Sequence, residues 1–161
     1  MANNITDKKF MMLALKEALK NVVDCANGGP FGACIVKDGK IIASARNTVL
    51  IKDATCHAEI NAIRKASKKL GTYDLTGCEI FSTTEPCPMC FSAIHWARIS
   101  RIVYGADISD AHMAGFNELK ISNRDLKRLG RSKVKIKSGV LRDECVRLFH
   151  AWKNCPDRKT Y

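Results

Sequence analysis

Two thiols three residues apart, in Cys87-Pro88-Met89-Cys90, are the strongest chemical signal in the chain. Pro88 suits the first turn of a helix, so both sulfurs lie at a helix N-terminus, where the partial positive charge favours the thiolate, the form that binds a metal. Taken alone, this spacing serves a zinc site and a redox pair equally well. A second cluster, Cys56-His57-Ala58-Glu59, opens an earlier helix and puts a ligand and a base on one turn. His57 with the two thiolates makes three zinc ligands and leaves a tetrahedral position for water, as catalytic zinc requires and closed four-ligand sites do not allow. Glu59 would then carry the proton of that water. Two thiolates cancel the charge of the ion, so the metal by itself lowers the water's pKa less than a three-histidine site does. A lone His at a helix start is ordinarily a cap, and a lone Glu ordinarily a solvated charge. Occurring together with the cysteine pair, they are read as one site.

The elements that position these residues follow from periodicity. Thr6 and Asp7 read as the cap of a first helix, with Phe10, Leu13, Ala14, Ala18 and Val22 at helical spacing up to the stop at Asn27-Gly28-Gly29-Pro30. Residues 31–36 and 40–45 are β-prone runs joined across Asp38-Gly39, a pair suited to a tight hairpin turn. Ala58, Ala62, Ile63 and Ala66 mark a helix ending near Gly71, and residues 78–84 read as a strand running into Glu85-Pro86. A helix from Pro88 carries Ile94 and Ala97; strands follow at 101–106 and 134–137, and Leu141, Cys145, Leu148 and Phe149 line a last helix. The alternation implies a sheet covered by helices, an α/β sandwich.

Length and composition agree with one domain. The chain has 161 residues, 46% hydrophobic and 27% charged, without repeat, linker or low-complexity tract. No run approaches the roughly 20 apolar residues of a membrane span, and the stretch 10–19 is broken by Lys16 and Glu17, which also argues against an export signal. The eight cysteines are therefore read as those of a reducing, cytoplasmic compartment, with Cys25, Cys34, Cys56, Cys78, Cys145 and Cys155 assigned no role. The net charge of +11 is uneven: 14 basic and 12 acidic residues up to Leu119, then 13 and 4 from Lys120 on. Basic residues at such spacing are ordinarily a solvated face, and less often a nucleic-acid footprint.

The pattern His-x-Glu followed by Pro-Cys-x-x-Cys marks zinc-dependent nucleobase deaminases. Over nearly its whole length the chain resembles the cytidine deaminase-like superfamily, and within it the guanine deaminases of that fold. The resemblance rests on Gly28-Gly29-Pro30-Phe31-Gly32-Ala33, His57-Ala58-Glu59, Glu85-Pro86-Cys87-Pro88-Met89-Cys90, Trp96-Ala97-Arg98, Ala114-Gly115-Phe116 and Ala151-Trp152 through Tyr161, in the same order. It implies a three-layer α/β/α sandwich, with a mixed five-stranded sheet and helices on both faces, as a single deaminase domain over 1–161. It implies one Zn²⁺ per chain on His57, Cys87 and Cys90, and conversion of guanine to xanthine and ammonia. Glu59 is the implied proton carrier, and Phe31, Asn47, Ala58, Trp96 and Tyr161 the implied substrate contacts. It further implies a homodimer in which residues 151–161 are a lid exchanged between subunits, with Tyr161 over the partner's site. Relatives often have two aspartates after the Gly-Phe step; here Asn117 and Glu118 follow Phe116, so Glu118 is the expected second catalytic carboxylate, with one more methylene of reach.

A rival stays open. The segment Gly139-Val140-Leu141-Arg142-Asp143-Glu144-Cys145 resembles tRNA-editing adenosine deaminases, and a basic tail suits RNA. Under that reading nucleic acid is the partner; under the first it is a small purine base, with guanosine or another amino-purine or triazine as variants. A zinc or redox module without catalysis would leave Glu59 unused.

Overall fold

The structure is a computed structural model that describes residues 2–161, with side chains from Ile5 onward. Five strands run in the order β2-β1-β3-β4-β5, where β1 is Gly32–Lys37, β2 Lys40–Arg46, β3 Cys78–Thr84, β4 Arg101–Ala106 and β5 Lys135–Lys137. β1 pairs antiparallel with both β2 and β3, whereas β3, β4 and β5 run parallel, so the sheet is mixed as expected. The β1–β2 hairpin turns at Asp38-Gly39, both with positive φ, which suits a tight two-residue turn.

Alternation along the strands feeds two cores. Cys34, Val36, Phe81 and Val103 pack on one face under α1 (Ala2–Val23) and α6 (Arg142–Lys153), through Phe10, Met11, Ala14, Ala18, Leu148, Phe149 and Trp152. Ala33, Ile35, Ile80 and Ile102 pack on the other, under α2 (Ala58–Leu70) and α3 (Pro88–Trp96), through Ala62, Ala66, Phe91 and Ile94. Two short helices, α4 (Ile108–Met113) and α5 (Asn123–Leu129), fill the β4–β5 connection, where the sequence suggests one at most. Gly71 ends α2 in the left-handed conformation, a cap that glycine adopts without strain. Among the described residues no helix is long and apolar enough to cross a membrane.

Two expectations are corrected. Thr6 and Asp7 do not cap α1, which starts at Ala2; Asp7 lies inside the helix and is buried, at 2.7 Å from Arg101 and 2.6 Å from Lys137. Burial pushes its carboxyl up, but the bonds and charges of Arg101 and Lys137 outweigh this and hold it below the ordinary 3.8. A carboxyl with a lowered folded pKa contributes its stability above the unfolded value and loses it as pH falls through the folded one. Asp7→Asn is therefore expected to cost about 2 kcal/mol at neutral pH, at the low end for a buried pair because Arg101 keeps Glu79. The urea midpoints of the variant and the wild type should converge below pH 4; equal midpoints at pH 7 would remove Asp7 from the stability argument.

The second correction concerns Cys25 and Cys155, which form a disulfide across 130 residues of sequence. The pairing is set by the α1–α6 packing and has no local signature in the sequence. The other six cysteines are free.

Candidate active site

Two helix N-termini converge at one end of the sheet. His57 is the N-cap of α2 and Cys87 the N-cap of α3; both have extended backbones, and neither side chain caps its helix. With no such bond to make, both point their donors elsewhere. Cys90, one turn on, completes a group whose nitrogen and sulfur donors all lie within 4.8 Å of one another. Cys87 Sγ is 3.6 Å from His57 Nδ1. Pro88 stands in the first turn of α3, where its missing N–H costs nothing.

Glu59, also in the first turn of α2, is buried beside this group. Ser82 on β3 donates to its Oε1 at 2.8 Å, and the Cys90 thiol donates to its Oε2 at 3.5 Å. One oxygen is thus fixed by the sheet while the other faces the triad. Burial raises the Glu59 carboxyl, only partly offset by His57. The proximity of Cys90 is the main influence that takes Cys87 down to about 4, while Cys87 and burial push Cys90 well up. At His57, burial favours the neutral ring but the bond and charge of Cys87 outweigh it. One nitrogen and two sulfurs are a donor set that fits zinc, which would be held by His57, Cys87 and Cys90 with both sulfurs as thiolates. Glu59 is outside the set of three, which would leave its carboxyl free to act on the reacting molecule.

The loop that carries Cys87 is bolted at its root. Glu85, buried, accepts the N–H of Asn123 at 2.7 Å and of Ile108 at 3.3 Å, and the Asn123 side chain donates to the Pro86 carbonyl at 2.5 Å. Glu85, Ser82 and Asn123 are given no role in the sequence reading. Only Glu85, as the residue before Pro-Cys, stood in a motif that could have flagged it.

A cavity of about 20 Å³ remains over the triad, lined by Phe31, His57, Glu59, Thr84, Glu85, Cys87, Glu118 and Tyr161. That volume holds about one water. Beside Glu59 and Glu85, Glu118 brings a third carboxyl, which burial and then Cys87 raise to about 7. Tyr161 closes the cavity: its hydroxyl accepts the Gly29 N–H at 3.1 Å, its carbonyl accepts the Asn117 N–H at 3.0 Å, and its ring meets Phe116. Gly29 has to lack a side chain, since a Cβ there would come within 2.8 Å of the Phe116 ring.

The expected substrate contacts divide. Phe31 and Tyr161 line the cavity, and Asn47 is buried nearby with its Oδ1 on the Val49 N–H at 3.0 Å and its Nδ2 without a partner. Ala58 is fully buried, its methyl packed in the core on the α2 face of the sheet. Trp96 is not brought to the cavity of its own chain: it is 78% exposed, in a groove of about 270 Å³ with His95, Leu126 and Leu129. Six residues past Cys90 on a helix of 3.6 per turn, it points away from the thiols.

Residues 4–106 match the family model for the cytidine and deoxycytidylate deaminase zinc-binding region. The chain is 43% identical over 140 residues to guanine deaminase of Bacillus subtilis, covering 86% of this chain and 89% of that protein. It is 36% identical over 145 residues to the tRNA-specific adenosine deaminase of Buchnera aphidicola, covering 89% and 91%. A crystal structure of a single-residue variant of the protein NE0047 in complex with 8-azaguanine superposes with a TM-score of 0.84 at 29% identity, covering 92% of this chain and 85% of that one.

Proposed function

Because the chain belongs to the cytidine and deoxycytidylate deaminase zinc-binding family, we propose that it is a zinc-dependent aminohydrolase that converts guanine to xanthine and ammonia. The observation that carries the choice of substrate is the closure of the site by the chain's own last residue. With Tyr161 on Gly29 the cavity has room for about one water, so the tail must lift to admit a purine. A lid of this kind suits a small free base that it can close over, and suits poorly a nucleotide still attached to an RNA strand.

Zinc on His57, Cys87 and Cys90 supplies Lewis acidity that makes a water acidic enough to attack near neutral pH. The remaining work falls to the chain. Glu59, anchored by Ser82, takes a proton from the attacking water and delivers it to the ring nitrogen beside the amino-bearing carbon. Glu118, with its carboxyl raised to about 7, is poised to give one proton to the departing amino group, which leaves as ammonia, and to recover it from the hydroxyl that becomes the product carbonyl. Phe31 offers a ring face to the base, and the unpartnered Asn47 Nδ2 offers a donor to its edge. A homodimer remains part of this proposal; Tyr161 here covers the cavity of its own chain, so exchange of the lid would require the same closure to be made on the partner, with one restriction. While Cys155 is bonded to Cys25 of its own chain, only residues 156–161 are free to cross to a partner.

Ammonia release from guanine, guanosine, adenine, cytosine and tRNA is the direct test. Guanine should be turned over alike at low and high salt, since a neutral base displaces no counterions. Salt-sensitive tRNA binding with adenosine-to-inosine conversion, and guanine untouched, would assign the chain to the editing enzymes instead.

A further inference from the structure

The disulfide joins the two segments that meet over the catalytic cavity. Cys25 lies in the turn after α1, four residues before Gly29; Cys155 lies at the root of the tail, six residues before Tyr161. At the far end the same two segments are held by a single hydrogen bond, Gly29 N–H to the Tyr161 hydroxyl. Between these points the tail is thinly attached: residues 156–160 are all exposed, and Arg158 bonds only back to the Cys155 carbonyl. The disulfide is therefore the one covalent tie between the tail and the Cys25–Gly29 segment; beyond it Tyr161 is held by the Gly29 bond, by the Asn117 N–H on its carbonyl and by the Phe116 ring.

We propose that Cys25–Cys155 is a thiol–disulfide exchange site, open to thiols of the glutathione or thioredoxin class, whose state sets how firmly Tyr161 is held over the cavity. The functional consequence rests on the reading of that cavity as a deaminase site. Cys25 is 3% exposed, whereas Cys155 is only half-buried, so an incoming thiolate meets the Cys155 sulfur. A crevice of about 510 Å³ opens beside the bond, lined by Ala26 and Pro156, the residues next to the two cysteines, and by Leu50, Asp157, Arg158 and Lys159. Its two cations outnumber its one carboxylate, which favours approach of an anionic thiol such as glutathione.

The exchange balances in two steps. The attacking thiolate bonds to the Cys155 sulfur and expels Cys25 as a thiolate; a second thiolate then attacks the reductant's sulfur in the mixed disulfide and releases Cys155. Two electrons pass to the protein, the reductant leaves as its disulfide, and the protein thiolates take up two protons. The metal-site sulfurs take no part. Once the bond is open, the tail is rooted at the end of α6, where Trp152 remains fully buried, and the Cys25–Gly29 turn moves independently of it. A longer free segment with an untied landing site has a lower effective concentration at the cavity, so the closed state is less populated.

The test compares zinc-loaded protein in its oxidised form and after treatment with reduced glutathione, with zinc content and free thiols counted in both. Reduction should leave zinc unchanged, speed amide exchange in residues 26–29 and 156–161, and raise KM for guanine by roughly 3- to 10-fold without lowering kcat. The double variant Cys25→Ser with Cys155→Ser should match the reduced protein and no longer respond to glutathione. Should that variant fail to fold, glutathione treatment of the wild type still decides the matter. Amide exchange that is the same in both redox states overturns the proposal, and so does a disulfide that glutathione leaves intact. The exchange measurement stands even if guanine proves not to be the substrate, so failure of the tether and failure of the assigned reaction are distinguishable.

Discussion

Cys90→Ala is expected to remove both the metal and the activity while leaving the fold in place. Its sulfur is fully buried, lies in the first turn of α3, and is one of only three donors in the group. With one of three lost, the remaining nitrogen and sulfur make a two-donor site, and affinity falls with the ligand count. The Lewis acidity lost with the ion is worth several kcal/mol, so turnover should drop on the order of 10³-fold or more. Cys87→Ala should behave alike, since Cys87 is the thiol already held at about 4. The checks are metal content per chain and ammonia release, with circular dichroism to establish that the variants fold. Wild-type protein without zinc, whose two thiols instead form a disulfide that a cytosolic potential reverses, would make the Cys-Pro-Met-Cys segment a redox pair.

How much of this was legible beforehand depends on the range of each interaction. The triad was legible because the chemistry is local: two thiols on one helix turn, and a histidine and a glutamate on another, each just after a chain stop. Strands at 78–84 and 101–106 were legible for the same reason, as short apolar runs between turn signals. What escaped was long-range. Asp7 and Arg101 are 94 residues apart, and nothing near Asp7 distinguishes a cap from a buried ion-pair partner. Cys25 and Cys155 became a pair only once α6 packed against α1. Ser82 and Asn123 are ordinary polar residues until the sheet and α5 bring them to Glu59 and to the Cys87 loop. Trp96 carried a motif but not an orientation, which follows from helix phase relative to Cys90.

The basic quarter of the chain also resolves in physical terms. Its cations are distributed over α5, β5, α6 and the tail, and several have acidic partners: Arg128 with Asp125, Arg142 with Asp110, Arg147 with Glu144 and Lys137 with Asp7. Arg128–Asp125 and Arg147–Glu144 are the exposed local pairs of a solvated face, each worth little by itself, and the other two tie cations to buried carboxylates of the fold. Against it, the site is small and lined by three carboxyls, Glu59, Glu85 and Glu118, a poor surface for a phosphate backbone.

Glu59→Gln is expected to retain zinc and fold while losing about 10²- to 10⁴-fold in kcat, the usual worth of a positioned acid-base group. The substitution is nearly isosteric, and the amide oxygen can keep the Ser82 bond at the Oε1 position. What disappears is the proton capacity. Burial raises the carboxyl above its ordinary value, which is what a group needs if it is to accept a proton from water and then part with it to the purine near neutral pH. Because Glu59 is not one of the three donors, metal content and turnover should separate in this variant, in contrast to Cys90→Ala, where they fall together. KM should move little, since the lost interaction belongs to the transition state more than to substrate binding. Zinc retained with deamination within a few-fold of wild type would transfer the proton work to Glu118, the only other carboxyl with a raised pKa lining the cavity among the described residues.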